Sequence, residues 1–264
     1  MRIAVLIKQV PATDKVKMDE KTGTMIRSEM ESELNPLDMY AVEEAVRIKE
    51  RLGKKVYITV ISMGPSQAVE AIKDAISMGC DDGYLLSDRQ FAGADTFATA
   101  YTLSAAIRKI RRFELVFTGE RATDGETGQV GPSVAAQLDI PVVTYVSCVE
   151  KITDDTIRVQ RLIEGGHETI EVSLPALLSV VKEINEPRIP NLAGKMKAKS
   201  TTVLTLTADQ IGVSLDKTGL SGSPTRVVKM FYPKLSRDGR IVKARDVDTV
   251  VDELIEFMRK RKLI

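Results

Sequence analysis

No tryptophan occurs among the 264 residues, and histidine occurs once, as His167. A single imidazole excludes a clustered histidine metal site. It sits in Glu164-Gly-Gly-His-Glu168, which reads as a hairpin turn and a poor place for a catalytic base. Cysteine is nearly as scarce. Cys80 and Cys148 stand far apart without metal-ligand spacing, so each is expected as a reduced, buried thiol of a cytoplasmic protein. An excess of one charge is also missing. The net charge of +1 gives no pull toward nucleic acid or an anionic membrane surface. Nothing approaches the roughly 18 consecutive apolar residues of a membrane span, so no transmembrane segment is expected. The opening run, Met1-Arg-Ile-Ala-Val-Leu-Ile-Lys8, is too short for a secretion signal, lacks a small-residue cleavage site, and reads as a first strand.

What is present is a core: 43% of the residues are hydrophobic, enough for one large domain or a domain with an extension. Ile3–Ile7 is continuously apolar, as a central parallel strand is when covered on both faces. Thr22-Gly-Thr24 marks a turn, and Lys17-Met-Asp-Glu20 with Met25-Ile-Arg27 suggests a short hairpin arm. Asn35-Pro-Leu-Asp38 predicts a helix start, with Asn35 as N-cap, Pro36 at the first position and Asp38 at the third. That helix presents Val42, Ala45, Val46, Lys49 and Leu52 on one face and stops at Gly53. Strands are expected at Val56–Ile61, Tyr84–Leu86 and Glu114–Thr118. Helices are expected at Ser66–Met78 and after the cap Asp95 or Thr96. The alternation implies right-handed crossovers and a parallel, doubly wound sheet, whose ligands sit beyond the carboxyl ends of the strands. Lys8, Met63-Gly64, Ser87 and Thr118-Gly119 would then converge on one crevice.

From Pro141 the pattern changes. Val142–Ser147, Thr156–Arg161 and His167–Ser173 read as antiparallel strands, and Ala176–Val181 as a further buried strand. Beyond Asn185 comes a loop rich in proline and lysine, in which Leu192 is an apolar residue in basic company. Residues 200–245 show no sustained helix and no core of their own, as in a segment that packs on something else. Val247–Lys260 has the spacing of an amphipathic helix.

The stretch Thr118-Gly-Glu-Arg-Ala-Thr-Asp-Gly-Glu-Thr-Gly-Gln-Val-Gly-Pro132 joins a strand to a helix. A glycine-rich turn in that position can aim main-chain N–H groups at a phosphate. Its spacing, Gly125-x-x-Gly128-x-x-Gly131, matches neither common nucleotide fingerprint. Composition leaves a plain solvent-exposed turn equally open. Against an anion site, Glu120, Asp124 and Glu126 outnumber Arg121, so backbone amides would have to do the binding.

These residues resemble the β subunit of electron transfer flavoproteins. The resemblance runs from the first strand to about residue 230. Its most specific parts are Asn35-Pro-Leu-Asp38 with Ala41-Val-Glu-Glu-Ala45, the loop Asp124–Gly131, and Val181-Lys-Glu-Ile-Asn-Glu-Pro-Arg188 running on to Lys195-Met-Lys-Ala-Lys199. The resemblance implies a Rossmann-like α/β fold: a doubly wound, mostly parallel sheet with an antiparallel extension and a C-terminal arm. Residues 1–199 would form the nucleotide domain, including a partner-recognition loop at 182–199. Residues 200–264 would form the arm, packed on an α subunit that carries FAD. Carried over by position, the nucleotide-lining residues are Leu6, Asn35, Pro36, Leu37, Asp38, Met63, and Glu120, Arg121, Ala122, Thr123, Asp124, Gly125, Glu126, Thr127, Gly128, Gln129, Val130 and Gly131. Leu192 falls at the family's anchoring leucine for acyl-CoA dehydrogenases, an apolar anchor ringed by Lys and Arg.

The family has two versions. In one, the β subunit holds a structural AMP. In the other it holds a second FAD, which NADH reduces and which divides the electron pair between a high-potential acceptor and a low-potential one such as ferredoxin or flavodoxin. Leu86-Ser-Asp-Arg-Gln-Phe-Ala-Gly-Ala-Asp-Thr96 and Asp124–Pro132 resemble the bifurcating version. Gly125 and Gly128 would leave room for a diphosphate, and Gly64, Pro65 and Phe91 would lie near NADH. No catalytic side chain is implied, because the flavin carries the chemistry; the chain would be an electron-transfer subunit rather than an independent enzyme. ATP-consuming ligases on related folds need a Ser-Gly-Gly-x-Asp-Ser-type loop after the first strand, and Lys8-Gln-Val-Pro11 is nothing like it. A non-redox nucleotide-binding module is the remaining alternative, and the long coreless tail argues against it.

Overall fold

A computed structural model describes residues 1–12, 32–53, 56–228, 241 and 246–264. The hairpin arm expected over Lys17–Arg27 lies outside the described residues. The chain divides into two compact units, Met1–Val228 and Lys229–Ile264.

The first unit is built on a nine-stranded sheet. In chain order its elements are β1 (Arg2–Ile7), β2 (Gln9–Pro11), β3 (Ser32–Leu34), α1 (Pro36–Leu52), β4 (Tyr57–Met63), α2 (Val69–Met78), β5 (Asp82–Leu86), α3 (Thr96–Ile110), β6 (Leu115–Gly119) and α4 (Val130–Leu138). Then follow β7 (Val142–Ile152), β8 (Thr156–Ile163), β9 (Gly166–Ser173), β10 (Ala176–Val180), α5 (Leu192–Ser200), β11 (Leu204–Leu206) and α6 (Ala208–Ile211). Strand order is β11-β5-β4-β1-β6-β10-β7-β8-β9, while β2 and β3 form a separate antiparallel pair. Every neighbouring pair from β11 to β7 is parallel, and β7-β8-β9 is antiparallel.

β1 shows why the sheet is buried on both faces. Ile3, Val5 and Ile7 pack into a layer with α1 and α2 residues such as Val42, Val46, Ile72 and Ile76. Ala4 and Leu6 face the opposite layer, with Leu103 and Ile107 of α3 and Val134 of α4. The chain winds from β1 outward through β4 to β5, then jumps back to β6 on the other side of β1. The order therefore reverses between β1 and β6, and in sheets wound this way ligands sit at that point, beyond the carboxyl ends of the strands.

Four readings need correction. β7 is not purely antiparallel: it pairs in parallel with β10 through Leu177 and Val142, and only its far side takes β8. Cys148 is exposed while Cys80 is buried. A break in the β7 register between Val146 and Cys148 leaves Val146 and Val149 facing inward and turns Cys148 out. Residues 192–199, read as loop, form α5, with Asn191 as its cap accepting from the Gly194 N–H at 2.8 Å. The three-residue strand β11 was too short to show a period, yet it pairs with β5 at the sheet edge, and Ala208 and Ile211 are buried just beyond it. Residues 200–228 thus belong to the first unit.

In the second unit, α7 (Val247–Lys260) is capped by Asp246, whose carboxylate accepts from the N–H groups of Asp248 and Thr249. None of its residues is buried.

Candidate functional site

The crevice is assembled from Lys8, the start of α1 and the loop between β6 and α4. Asn35 precedes α1, but its side chain does not cap the helix. It reaches across to the loop instead: Nδ2 donates to the Arg121 carbonyl at 3.0 Å, and Oδ1 accepts from the Thr123 N–H at 3.2 Å. Its own N–H donates to the Lys8 carbonyl at 2.9 Å. Asn35 is fully buried, so these bonds satisfy a side chain that water cannot reach. Pro36 at the first helical position needs no donor partner.

Asp38 is buried beneath the same junction and accepts from the Lys8 N–H at 2.8 Å. Burial pushes its carboxyl up to about 7, against the pull of hydrogen bonds from Lys8, Asn35 and Gly119. Gly119 ends β6 against this turn. A Cβ there would lie 2.7 Å from the Leu37 carbonyl oxygen, so only glycine lets β6 and α1 approach this closely. Asp38 thereby ties the ends of β1 and β6 together at the point where the strand order reverses.

The loop carboxylates are largely neutralised. Lys8 Nζ contacts both oxygens of Asp124, at 2.6 and 2.7 Å. Glu120 pairs with Arg121. Glu126 is exposed, with φ +53°. The Ala122 carbonyl accepts from the N–H groups of Gly125 and Glu126, which closes a turn. From Thr127 to Gly131 no backbone N–H has a partner among the described residues. Gly128 lies within that run at φ +62°. At Gly125 a Cβ would meet nothing within 4 Å, so open space borders the loop. Thr96 at the start of α3 holds Gln129 through a hydroxyl-to-Oε1 bond of 3.1 Å. The result is a shelf of unpaired amides at the N-terminus of α4, exposed over Thr127–Gln129 and running inward to buried Gly131, with two of the loop's three carboxylates engaged elsewhere. Such a shelf suits a phosphate or diphosphate.

The structure thus brings together Leu6, Asn35, Pro36, Leu37, Asp38 and the loop Glu120–Gly131 around one crevice. Met63 ends β4, one strand away, and Gly64 and Pro65 follow it, the Gly64 N–H donating to the Leu86 carbonyl at 3.0 Å. Phe91 is buried in the layer formed with α3, so its ring serves the core. Lys8 and Thr96, absent from the residues inferred by resemblance, prove to hold the loop. For Lys8 the signals were its place just past the end of β1 and the surplus of acidic loop residues it now offsets. Among the described residues no cluster could hold a metal ion, and no helix is long and apolar enough to cross a membrane.

Comparison with known proteins fits this geometry. Residues 22–211 match the electron transfer flavoprotein domain. The chain belongs to the electron transfer flavoprotein family. It is 49% identical, over the full length of both chains, to the electron transfer flavoprotein subunit beta of Thermoanaerobacterium thermosaccharolyticum. It is 44% identical, again over both full lengths, to the caffeyl-CoA reductase-Etf complex subunit CarD of Acetobacterium woodii. The acryloyl-CoA reductase electron transfer subunit gamma of Anaerotignum propionicum is 39% identical, covering 98% of this chain and 99% of that one. Membership in this family makes electron transfer the business of the chain, in the manner of a β subunit.

Proposed function

We propose that this chain is the β subunit of a cytoplasmic, heterodimeric electron transfer flavoprotein that holds FAD in the crevice between β1 and β6. When bound, the flavin would take electrons from NADH and divide them between the FAD of the α subunit, leading to an acyl-CoA dehydrogenase-type partner, and a low-potential acceptor such as ferredoxin or flavodoxin. The chain's own residues hold and orient. The free amides of Thr127–Gly131 receive the diphosphate, Asn35 and Asp38 fix the loop against α1, and Lys8 draws Asp124 off the anion path. The observation that carries the reading is the run of unpaired amides at the N-terminus of α4, with open space at neighbouring Gly125. Gly64 and Pro65, one strand away, would lie toward NADH; Phe91 would support that side from within the core. Leu192, exposed at the start of α5, would anchor the dehydrogenase. The second unit would pack on the α subunit.

The test is nucleotide stoichiometry. The complex with the α subunit is purified and denatured, and released FAD and AMP are quantified per heterodimer. Two FAD and no AMP support the flavin in this chain. One FAD and one AMP would make the nucleotide structural and leave this subunit a scaffold in single-path electron transfer.

A further inference from the structure

The segment that carries Leu192 is held by bonds that the nucleotide crevice does not use. Arg188 lies ahead of α5. Its guanidinium donates to Glu43 at 2.8 and 3.0 Å and to Glu50 at 2.6 and 3.0 Å, and its backbone N–H donates to Glu43 at 3.1 Å. Glu43 is 2% exposed and also accepts from Arg47 at 3.1 Å. Burial alone would raise the Glu43 carboxyl; the bonds from Arg188 outweigh it and hold the group below its ordinary range. Asn185 adds bonds to the Tyr40 carbonyl at 3.0 Å and to Glu44 at 3.2 Å. All these acceptors stand on α1, the helix whose first turn borders the nucleotide crevice.

The other flank rests on the end of α2. Gly194, Lys197 and Ala198 share the inward face of α5. A Cβ at Gly194 would overlap the Ser77 carbonyl oxygen. Lys197 Nζ donates to the Cys80 carbonyl at 2.7 Å, and Ala198 is buried. The opposite face carries Leu192, Lys195, Met196 and Lys199. Leu192 is 75% exposed, Met196 64%, and Ile189, just ahead of the helix, 91%. Beneath the segment lies a cleft of about 420 Å³, bordered by Val46, Ser77, Ile189 and Asn191 among others, so the segment spans between its two supports. A helix of nine residues is marginal in water by itself. Its order must come from those supports.

We propose that Glu43 and Arg188 are positioning residues for partner docking: their ion pair, extended by Glu50, holds Ile189, Leu192 and Met196 as a preformed apolar patch for an acyl-CoA dehydrogenase-type flavoprotein. The proposal rests on the docking reading above and adds the device that makes the surface ready. A patch fixed in advance spares the ordering cost of binding. Lys195 and Lys199 beside it fit a pocket rimmed by carboxylates. Two of the relatives carry names that tie them to CoA-reductase activity, which favours this class of partner.

The test uses the full complex with the α subunit and a purified short-chain acyl-CoA dehydrogenase as probe. Arg188→Gln is expected to raise the KM for the dehydrogenase roughly tenfold with kcat unchanged, a loss confined to binding. Amide exchange should quicken across 189–200 while the sheet keeps its protection. Glu50→Gln removes only the exposed arm of the clamp, should leave folding intact at so exposed a position, and should raise KM about two- to threefold. Arg188→Lys should fall between. Unchanged exchange over 189–200 in Arg188→Gln overturns the clamp. Unchanged KM in that variant, while Leu192→Ala raises it, overturns its role in docking. An unchanged KM in Leu192→Ala overturns the docking reading itself, and the proposal with it.

Discussion

At the residue scale, Asp38 and Gly128 carry the sharpest consequences. Asp38 is a carboxyl raised from 3.8 to about 7 by burial. Between those values the folded chain keeps a proton there that the unfolded chain has released. Stability therefore falls as pH rises through that window and levels off above it, with a slope of up to about 1.4 kcal/mol per pH unit from this group. Asn at position 38 does not titrate. The difference in urea-unfolding free energy between the wild type and Asp38→Asn should shrink or reverse as pH climbs from 4 to 7. Parallel pH profiles for the two proteins would refute the assignment. Gly128 makes a separate point. Its φ of +62° is strained for any side chain, and a Cβ would stand 3.5 Å from the Glu120 carbonyl oxygen, within the amide shelf. Gly128→Val should cost about 1–2 kcal/mol of local strain and abolish nucleotide retention in this subunit while sparing the FAD of the α subunit. Retention of both nucleotides by the purified variant complex would place the phosphate elsewhere.

At the scale of elements, α1 shows what a sequence can and cannot disclose. Its boundaries were legible: Pro36 opens it and Gly53 closes it, as the pattern of Asn35-Pro-Leu-Asp38 and the apolar spacing required. Its chemistry was not. Asn35 has the composition of a cap, and only the approach of a loop about 90 residues later converts it into a cross-link. Burial of Glu43 and Glu44 was equally hidden, because the partners, Arg188 and Asn185, arrive from the far end of the chain. Buried parallel strands announce themselves by continuous apolar runs, as β1, β4 and β6 do. Short edge pieces such as β11, and short helices such as α5 with an apolar residue facing out, show no period to read. The loop Glu120–Gly131 was legible as glycine-rich, but its free amides and its Lys8–Asp124 bridge are products of the fold. The consequence for α1 is testable. Asn35→Ala leaves the helix capped as poorly as before but strips both bonds to the loop, and the one to Asp38, from a buried contact. It should cost roughly 1–3 kcal/mol in unfolding free energy and weaken nucleotide retention, read as faster nucleotide loss on dilution of the complex. A variant with wild-type stability and retention would show that Lys8 and Thr96 hold the loop without Asn35.

At the scale of the whole molecule, the two units have different grounds for stability. The first has a sheet buried on both faces, with layers on either side that share β1 by alternation. The second offers α7, with a long apolar stripe of Val247, Val251, Leu254 and Phe257 and no buried residue. A helix of 14 residues with such a stripe needs a surface to cover it. If that surface belongs to the α subunit, the tail is an assembly element that adds little to the core of the first unit. A chain ending at Val228 should then keep its unfolding midpoint within a few degrees, a shift worth about 1 kcal/mol or less. Co-expressed with the α subunit, it should elute separately in size-exclusion chromatography, whereas the full chain co-elutes. Loss of the first unit's cooperative unfolding in the truncated chain would make the tail part of that unit's own core. Undiminished co-elution would move the subunit interface to the faces of the first unit.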